Sequence, residues 1–208
     1  MNHSIVLSRQ ELWPVALWQM EYPLHREQNP LMKAAIDALW QVDQEGAEGR
    51  SNPTGWQSKK ILQTQPAFQA LIGVAIDALR NPVASHFNWD LSHARIDVES
   101  WANVNPHSSL NQIHAHAGAL ISGAYYIKVP PDSGAIRFYN PRKVFQHNDQ
   151  PPRKDLSRQH ADSLVHRVVP TAGQLLLFPG WLPHDVEANF SGETRYSISF
   201  NIHAEPAR

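Results

Sequence analysis

From Arg95 onward the sequence breaks into short runs of strand-forming residues, with no helical period between them. Residues 96–104, 122–129, 135–139, 165–169, 174–178, 185–188 and 195–203 are such runs, each bounded by Pro, Gly, Asn or Asp. Seven or eight short strands in succession point to an all-β sandwich, barrel or jelly roll. No repeat of solenoid period is visible. A chain of 208 residues is long enough to bury one proper core, so residues 1–208 are expected to form a single domain.

Residues 1–94 read as largely helical. Asn29 followed by Pro30 predicts a helix start, a capping side chain and then a proline at the first helical position. Met32, Ala35, Ile36, Leu39 and Val42 recur at helical spacing, and Gly46 ends the pattern. A second helix is predicted from Thr64–Pro66, with Phe68, Leu71, Ile72, Ala75 and Leu79 on one face. Proline disfavours helix in the residue before it, so this helix should stop before Asn81–Pro82. Both apolar stripes are expected to face the core, outside the β region of residues 95–208. Within that region, residues 140–163 are polar, with five Lys/Arg against three Asp, and carry Pro151–Pro152. A loop of this length is either a solvated insertion or a lid that meets substrate.

Composition narrows the chemistry. Lys plus Arg number 18 and Asp plus Glu 19, so nothing in the balance favours nucleic acid or an anionic membrane surface. There are no cysteines but 12 histidines, so a bound metal must be held by imidazole and carboxylate. The first residues lack an apolar run of signal-peptide length, and no segment approaches a membrane span. A cytoplasmic protein is the default expectation.

Three features carry the functional reading. His114-Ala115-His116 places two imidazoles at i and i+2, on one face of an extended chain, although two unrelated histidines could share that spacing. Residues 173–184 read as a buried strand, a turn at Pro179–Gly180, and His184 opening the next strand beside Trp181. Arg195-Tyr196-Ser197 then begins an alternating strand. An arginine turned into an apolar barrel needs an anion; a carboxylate bound bidentately, with help from Ser197, is the natural one. A surface Asp or Glu is the alternative partner. Asp185, next to His184 on a strand, should face away from it. Trp181 and Trp56 are candidates for the pocket wall and mouth, with core filling the commoner fate of tryptophan.

HxH, a distant His and Arg-x-Ser in this order resemble the iron(II)- and 2-oxoglutarate-dependent oxygenases, and a bacterial and phage group among them. The resemblance covers most of the chain. It takes in Ser51-Asn52, Gly55-Trp56-Gln57-Ser58, Ser100-Trp101-Ala102-Asn103-Val104, Ser122-Gly123-Ala124-Tyr125-Tyr126-Ile127 and Pro141-Arg142. It implies a double-stranded β-helix, a cupin-like jelly roll, with N-terminal α-helices flanking it. His114, His116 and His184 would bind Fe(II), and Arg195 with Ser197 the distal carboxylate of 2-oxoglutarate. Tyr126 and Asn103 are further candidates for contact with the cosubstrate. His116 stands where most of the wider class has Asp or Glu, which leaves the site one unit more positive. The implied activity is hydroxylation of an unidentified small molecule or peptide, with release of succinate and CO2; a homodimer is allowed. A cupin-type metalloenzyme without a 2-oxoacid, including a zinc hydrolase, is the alternative, though 117–122 lack the expected acid. A non-catalytic binding module is a third.

Overall fold

The computed structural model describes residues 14–141 and 164–206. Strand β1 (Trp18–Glu21) precedes helix α1 (His25–Val42), and the short strand β2 (Trp56–Gln57) precedes α2 (Gln69–Ala78) and α3 (Ala84–Phe87). Eight strands follow: β3 (Ala94–Asn105), β4 (Asn111–His114), β5 (Ile121–Lys128), β6 (Ile136–Tyr139), β7 (Val165–Val168), β8 (Gln174–Pro179), β9 (His184–Val186) and β10 (Arg195–Pro206). They form two antiparallel sheets, β1-β8-β5-β10-β3-β2 and β4-β9-β6-β7. Because β3, β5, β8 and β10 lie in the larger sheet and β4, β6, β7 and β9 in the smaller, the chain winds as a jelly roll.

The alternation along β10 shows why the sequence folds this way. Tyr196, Ile198, Phe200 and Ile202 pack with Met32 and Ile36 of α1 and with Leu71, Ile72 and Ala75 of α2. Arg195, Ser197, Ser199 and Asn201 therefore point the other way, between the sheets. β5 and β8 are apolar on both faces. Tyr125, Ile127, Leu175 and Leu177 meet the helices, while Ala124, Tyr126, Leu176 and Phe178 meet Ile136, Phe138 and Val168 of the smaller sheet. Each such large aliphatic or aromatic side chain contributes roughly 1.5–3 kcal/mol by burial. The large sheet is thus clamped from both sides.

Four expectations need correction or completion. The N-terminal part, expected to be largely helical, also supplies strands: β1 extends the large sheet by pairing with β8, and β2 pairs with β3. α1 begins at His25, and Pro30 lies inside it. Asn29 is no cap: its Nδ2 donates to the Ile127 carbonyl at 2.9 Å and its Oδ1 accepts from the Tyr125 hydroxyl, tying α1 to β5. The second helical segment starts with two 3₁₀ turns, Leu62–Thr64 and Pro66–Phe68, and does not stop before Pro82. A π turn, Leu79–Val83, carries the chain through that proline into α3. Its wider winding admits the ring, and Asn81 Nδ2 donates to the Asp77 carbonyl at 3.0 Å. Finally, β4 is the eighth of the expected seven or eight strands, and it lies outside the seven runs named from the sequence. Most of the 140–163 segment, with its basic cluster, His147 and His160, lies outside the described residues. Among the described residues no helix is long and apolar enough to cross a membrane.

Candidate active site

His114 ends β4 and His184 opens β9, and the pairing of these strands sets the two directly opposite each other. Phe138 of β6 flanks His184 on its other side. His116 lies two residues past β4, so the two histidines of the HxH pair do not share one strand. Its backbone N–H instead donates to the Gly180 carbonyl at 2.8 Å, in the turn before His184. Glycine is needed there: a Cβ on Gly180 would come within 2.4 Å of the Ala119 carbonyl oxygen. The ring centroids of His114 and His184 are 4.4 Å apart, with His116 at 4.9 and 5.1 Å from them. One nitrogen from each ring can lie within 4.8 Å of the others.

Electrostatics keep these rings ready to bind a cation. Burial, then the neighbouring His184, His114 and Lys60, pulls His116 down to about 3. Burial, then His114, pulls His184 down to about 4, and burial also lowers His114. All three are therefore neutral at physiological pH, with lone pairs to offer. His114 Nδ1 is 2.7 Å from the Gln112 carbonyl and His184 Nδ1 2.9 Å from that of Leu182. A carbonyl only accepts, so each Nδ1 carries the proton and each Nε2 is bare.

Behind the rings a narrow cavity of about 30 Å³ lies between the sheets, lined by Ser51, Asn103, Asn111, Tyr126, Ser197 and Ser199, with Ile136, Phe178 and Val186 as its apolar wall. Asn103 Nδ2 donates to Ser199 Oγ at 3.0 Å, and Asn111 Nδ2 approaches Asn103 Oδ1 at 3.4 Å. Tyr126 is buried, and burial raises its phenol pKa. Arg195, on the same face of β10, is only 1% exposed. Its Nη1 donates to the Ser133 carbonyl and reaches that of Gly134 at 3.5 Å. Gly134 has φ of +89° and no room for a Cβ, which would sit 2.5 Å from the Glu187 carbonyl oxygen. Nε and Nη2 of Arg195 have no partner among the described residues. Burial lowers its pKa, partly opposed by Tyr126 and Glu187. A half-satisfied, buried guanidinium edge is costly unless an anion completes it.

These observations fit the implied groups. Three neutral nitrogen donors suit a first-row divalent metal, iron included, and the free guanidinium edge suits a carboxylate. Asp185 does face away: Arg137 grips it with bonds of 2.8 and 2.5 Å, and Tyr139 donates at 2.7 Å. Trp56 is not at the mouth. It is buried against Trp40, its Nε1 donating to the Asp43 carbonyl at 2.7 Å. Trp181 is half-exposed and absent from the cavity wall. The tryptophan at the site is Trp101, its ring centroid 5.6 Å from that of His116. Ser51 entered the sequence reading only as part of the Ser51-Asn52 motif, with no role given, and Asn111, Ser199 and Asn201 were not singled out. The i, i+2 spacing from Arg195 could have found Ser199 and Asn201; nothing local marks Ser51 or Asn111.

Solved structures share this architecture. A Pseudomonas putida prolyl-4-hydroxylase superimposes over 91% of this chain and 92% of its own, with a TM-score of 0.63 and 17% identity. SnoK, a non-heme α-ketoglutarate-dependent carbocyclase of nogalamycin biosynthesis, covers 92% and 82%, with a TM-score of 0.64 and 16% identity. HygX from Streptomyces hygroscopicus, solved with nickel and 2-oxoglutarate, covers 91% and 82%, with a TM-score of 0.59 and 14% identity. At such identities the likeness establishes the fold. No curated protein matches the sequence. Residues 99–201, from β3 into β10, match the family described as "Putative 2OG-Fe(II) oxygenase". That stretch holds all three clustered histidines and Arg195, and the chain belongs to the 2OG-Fe(II) oxygenase family.

Proposed function

We propose that His114, His116 and His184 together hold the Fe(II) of this dioxygenase, and that Arg195 and Ser197 hold the far carboxylate of 2-oxoglutarate. The observation that carries the assignment is the pairing of three clustered neutral imidazoles with a buried guanidinium whose Nε and Nη2 lack partners among the described residues. When bound, the iron and cosubstrate supply oxidising power from O2, as 2-oxoglutarate becomes succinate and CO2 and a substrate C–H bond is hydroxylated. The chain's own work is placement and exclusion of water. Arg195 offers two N–H groups from one planar edge, which fixes both the position and the plane of a carboxylate. Ser197 adds a hydroxyl, and the Asn103 carboxamide and Tyr126 hydroxyl are the polar groups left to orient the remainder. Phe178, Ile136 and Val186 keep the wall apolar, which strengthens each of these contacts.

A cupin-type enzyme without a 2-oxoacid would leave the Arg195 edge unexplained. The substrate is proposed to be a small molecule or a peptide segment. A cytoplasmic location belongs to the same proposal, since that reducing compartment keeps iron ferrous. The test is Fe(II)-dependent conversion of 2-oxoglutarate to succinate by the purified chain, absent in His184→Ala. Succinate formation that persists in His184→Ala, or that needs no Fe(II), would overturn the assignment.

A further inference from the structure

His116 is held differently from its two neighbours. His114 and His184 each give Nδ1 to a backbone carbonyl two residues earlier, so the main chain fixes their tautomers. Among the described residues no backbone carbonyl receives the His116 ring. Its Nδ1 faces the carboxamide Nδ2 of Asn201 at 3.5 Å, from a side chain only 5% exposed. Asn201 Oδ1 in turn accepts from Ser122 Oγ at 2.8 Å. In this orientation the amide donates to Nδ1, and the His116 proton resides on Nε2, the atom its neighbours leave bare. Turning the carboxamide by 180° uses the same two neighbours. Oδ1 then accepts from Nδ1–H, and Nδ2 donates to the Ser122 hydroxyl, which accepts as readily as it donates. Only this second arrangement frees the Nε2 lone pair.

We propose that Asn201, oriented by Ser122, is the positioning residue that sets the His116 tautomer, and so decides whether two imidazoles or three hold the metal. The inference rests on the histidine ligation proposed above. It also bears on the missing carboxylate: with three neutral ligands, affinity depends on each one being presented correctly. Hydrogen-bond partners of metal-bound histidines are typically worth 10–100-fold in affinity.

The experiment is calorimetric titration of the full chain with Ni(II), without oxygen or 2-oxoglutarate, alongside thermal melts of the metal-free proteins. Asn201→Leu should weaken Ni(II) binding by about 10–100-fold. Asn201→Asp should bind as tightly as the unaltered chain or more tightly, because a carboxylate accepts from Nδ1–H in either orientation. Ser122→Ala should lose affinity while melting near the original temperature. Unchanged affinity in Asn201→Leu overturns the proposal, as does Asn201→Asp binding more weakly than Asn201→Leu, the order expected if the position served packing alone. Should Asn201→Leu fail to fold, Asn201→Asp and Ser122→Ala decide: loss in the first or unchanged affinity in the second overturns it. Absence of Ni(II) binding by the unaltered chain overturns the ligation itself, and is thereby told apart from failure of the Asn201 role.

Discussion

Replacing Arg195 by methionine separates a structural arginine from one kept for a ligand. Two of its donors, Nε and Nη2, are buried and without partners among the described residues. Each unmade buried bond costs about 1–3 kcal/mol, so the ligand-free protein carries about 2–6 kcal/mol of unfavourable free energy there. Methionine removes that cost but leaves the Ser133 and Gly134 carbonyls without the Nη1 donor, a penalty of similar size. The two effects nearly cancel, and ligand-free Arg195→Met should lie within about 2 kcal/mol of the unaltered chain. For a chain of this length 1 kcal/mol moves Tm by about 2–4 °C, so the melts should agree within about 8 °C. The ligand response should differ. With Ni(II) present, 2-oxoglutarate at about 100 times its Kd stabilises the unaltered chain by about 2.7 kcal/mol. At the same conversion that is a rise of about 5–11 °C. The variant should show none. A ligand-free variant melting more than about 10 °C lower would make Arg195 structural. A variant that retained the full 2-oxoglutarate response would remove it from the cosubstrate site.

Two further substitutions test the scaffold around the site. Asp185→Ala removes the acceptor of Arg137 and Tyr139; with the Arg137 side chain 37% exposed, the loss should be about 1–3 kcal/mol, below that of a fully buried pair. Urea unfolding measures it, and an unchanged midpoint would show that the network contributes nothing. Gly123→Ala places a Cβ 2.2 Å from Cζ of Phe200, whose ring covers the glycine, and should cost about 1–3 kcal/mol. Adding Phe200→Leu should recover part of that loss in thermal melts, and no recovery would mean the ring contact is not its source.

What was legible in the sequence follows from which forces are local. The β10 alternation, Arg195 through Asn201 against Tyr196 through Ile202, is a period-two pattern set by strand geometry, so the inward arginine could be read from residue order. Residues 175–178 are apolar without a break because β8 is buried on both faces. β1 escaped notice because four residues have too little pattern of their own, and their pairing with β8 is decided by a partner more than 150 positions away. Asn29 looks like a helix cap in sequence, but bonds to Tyr125 and Ile127, nearly a hundred residues on, outweigh the local preference. The site divides the same way. HxH and His184 carry spacing signals, whereas Ser51 and Asn111 reach the cavity only through the packing of distant segments.

The most direct test of the account is an anaerobic crystal structure of the chain with Fe(II) and 2-oxoglutarate. The account predicts one ion bound by Nε2 of His114, His116 and His184, with the far carboxylate of 2-oxoglutarate on Nε and Nη2 of Arg195. An ion that leaves His116 unbound, or a cosubstrate carboxylate seated away from Arg195, would contradict it.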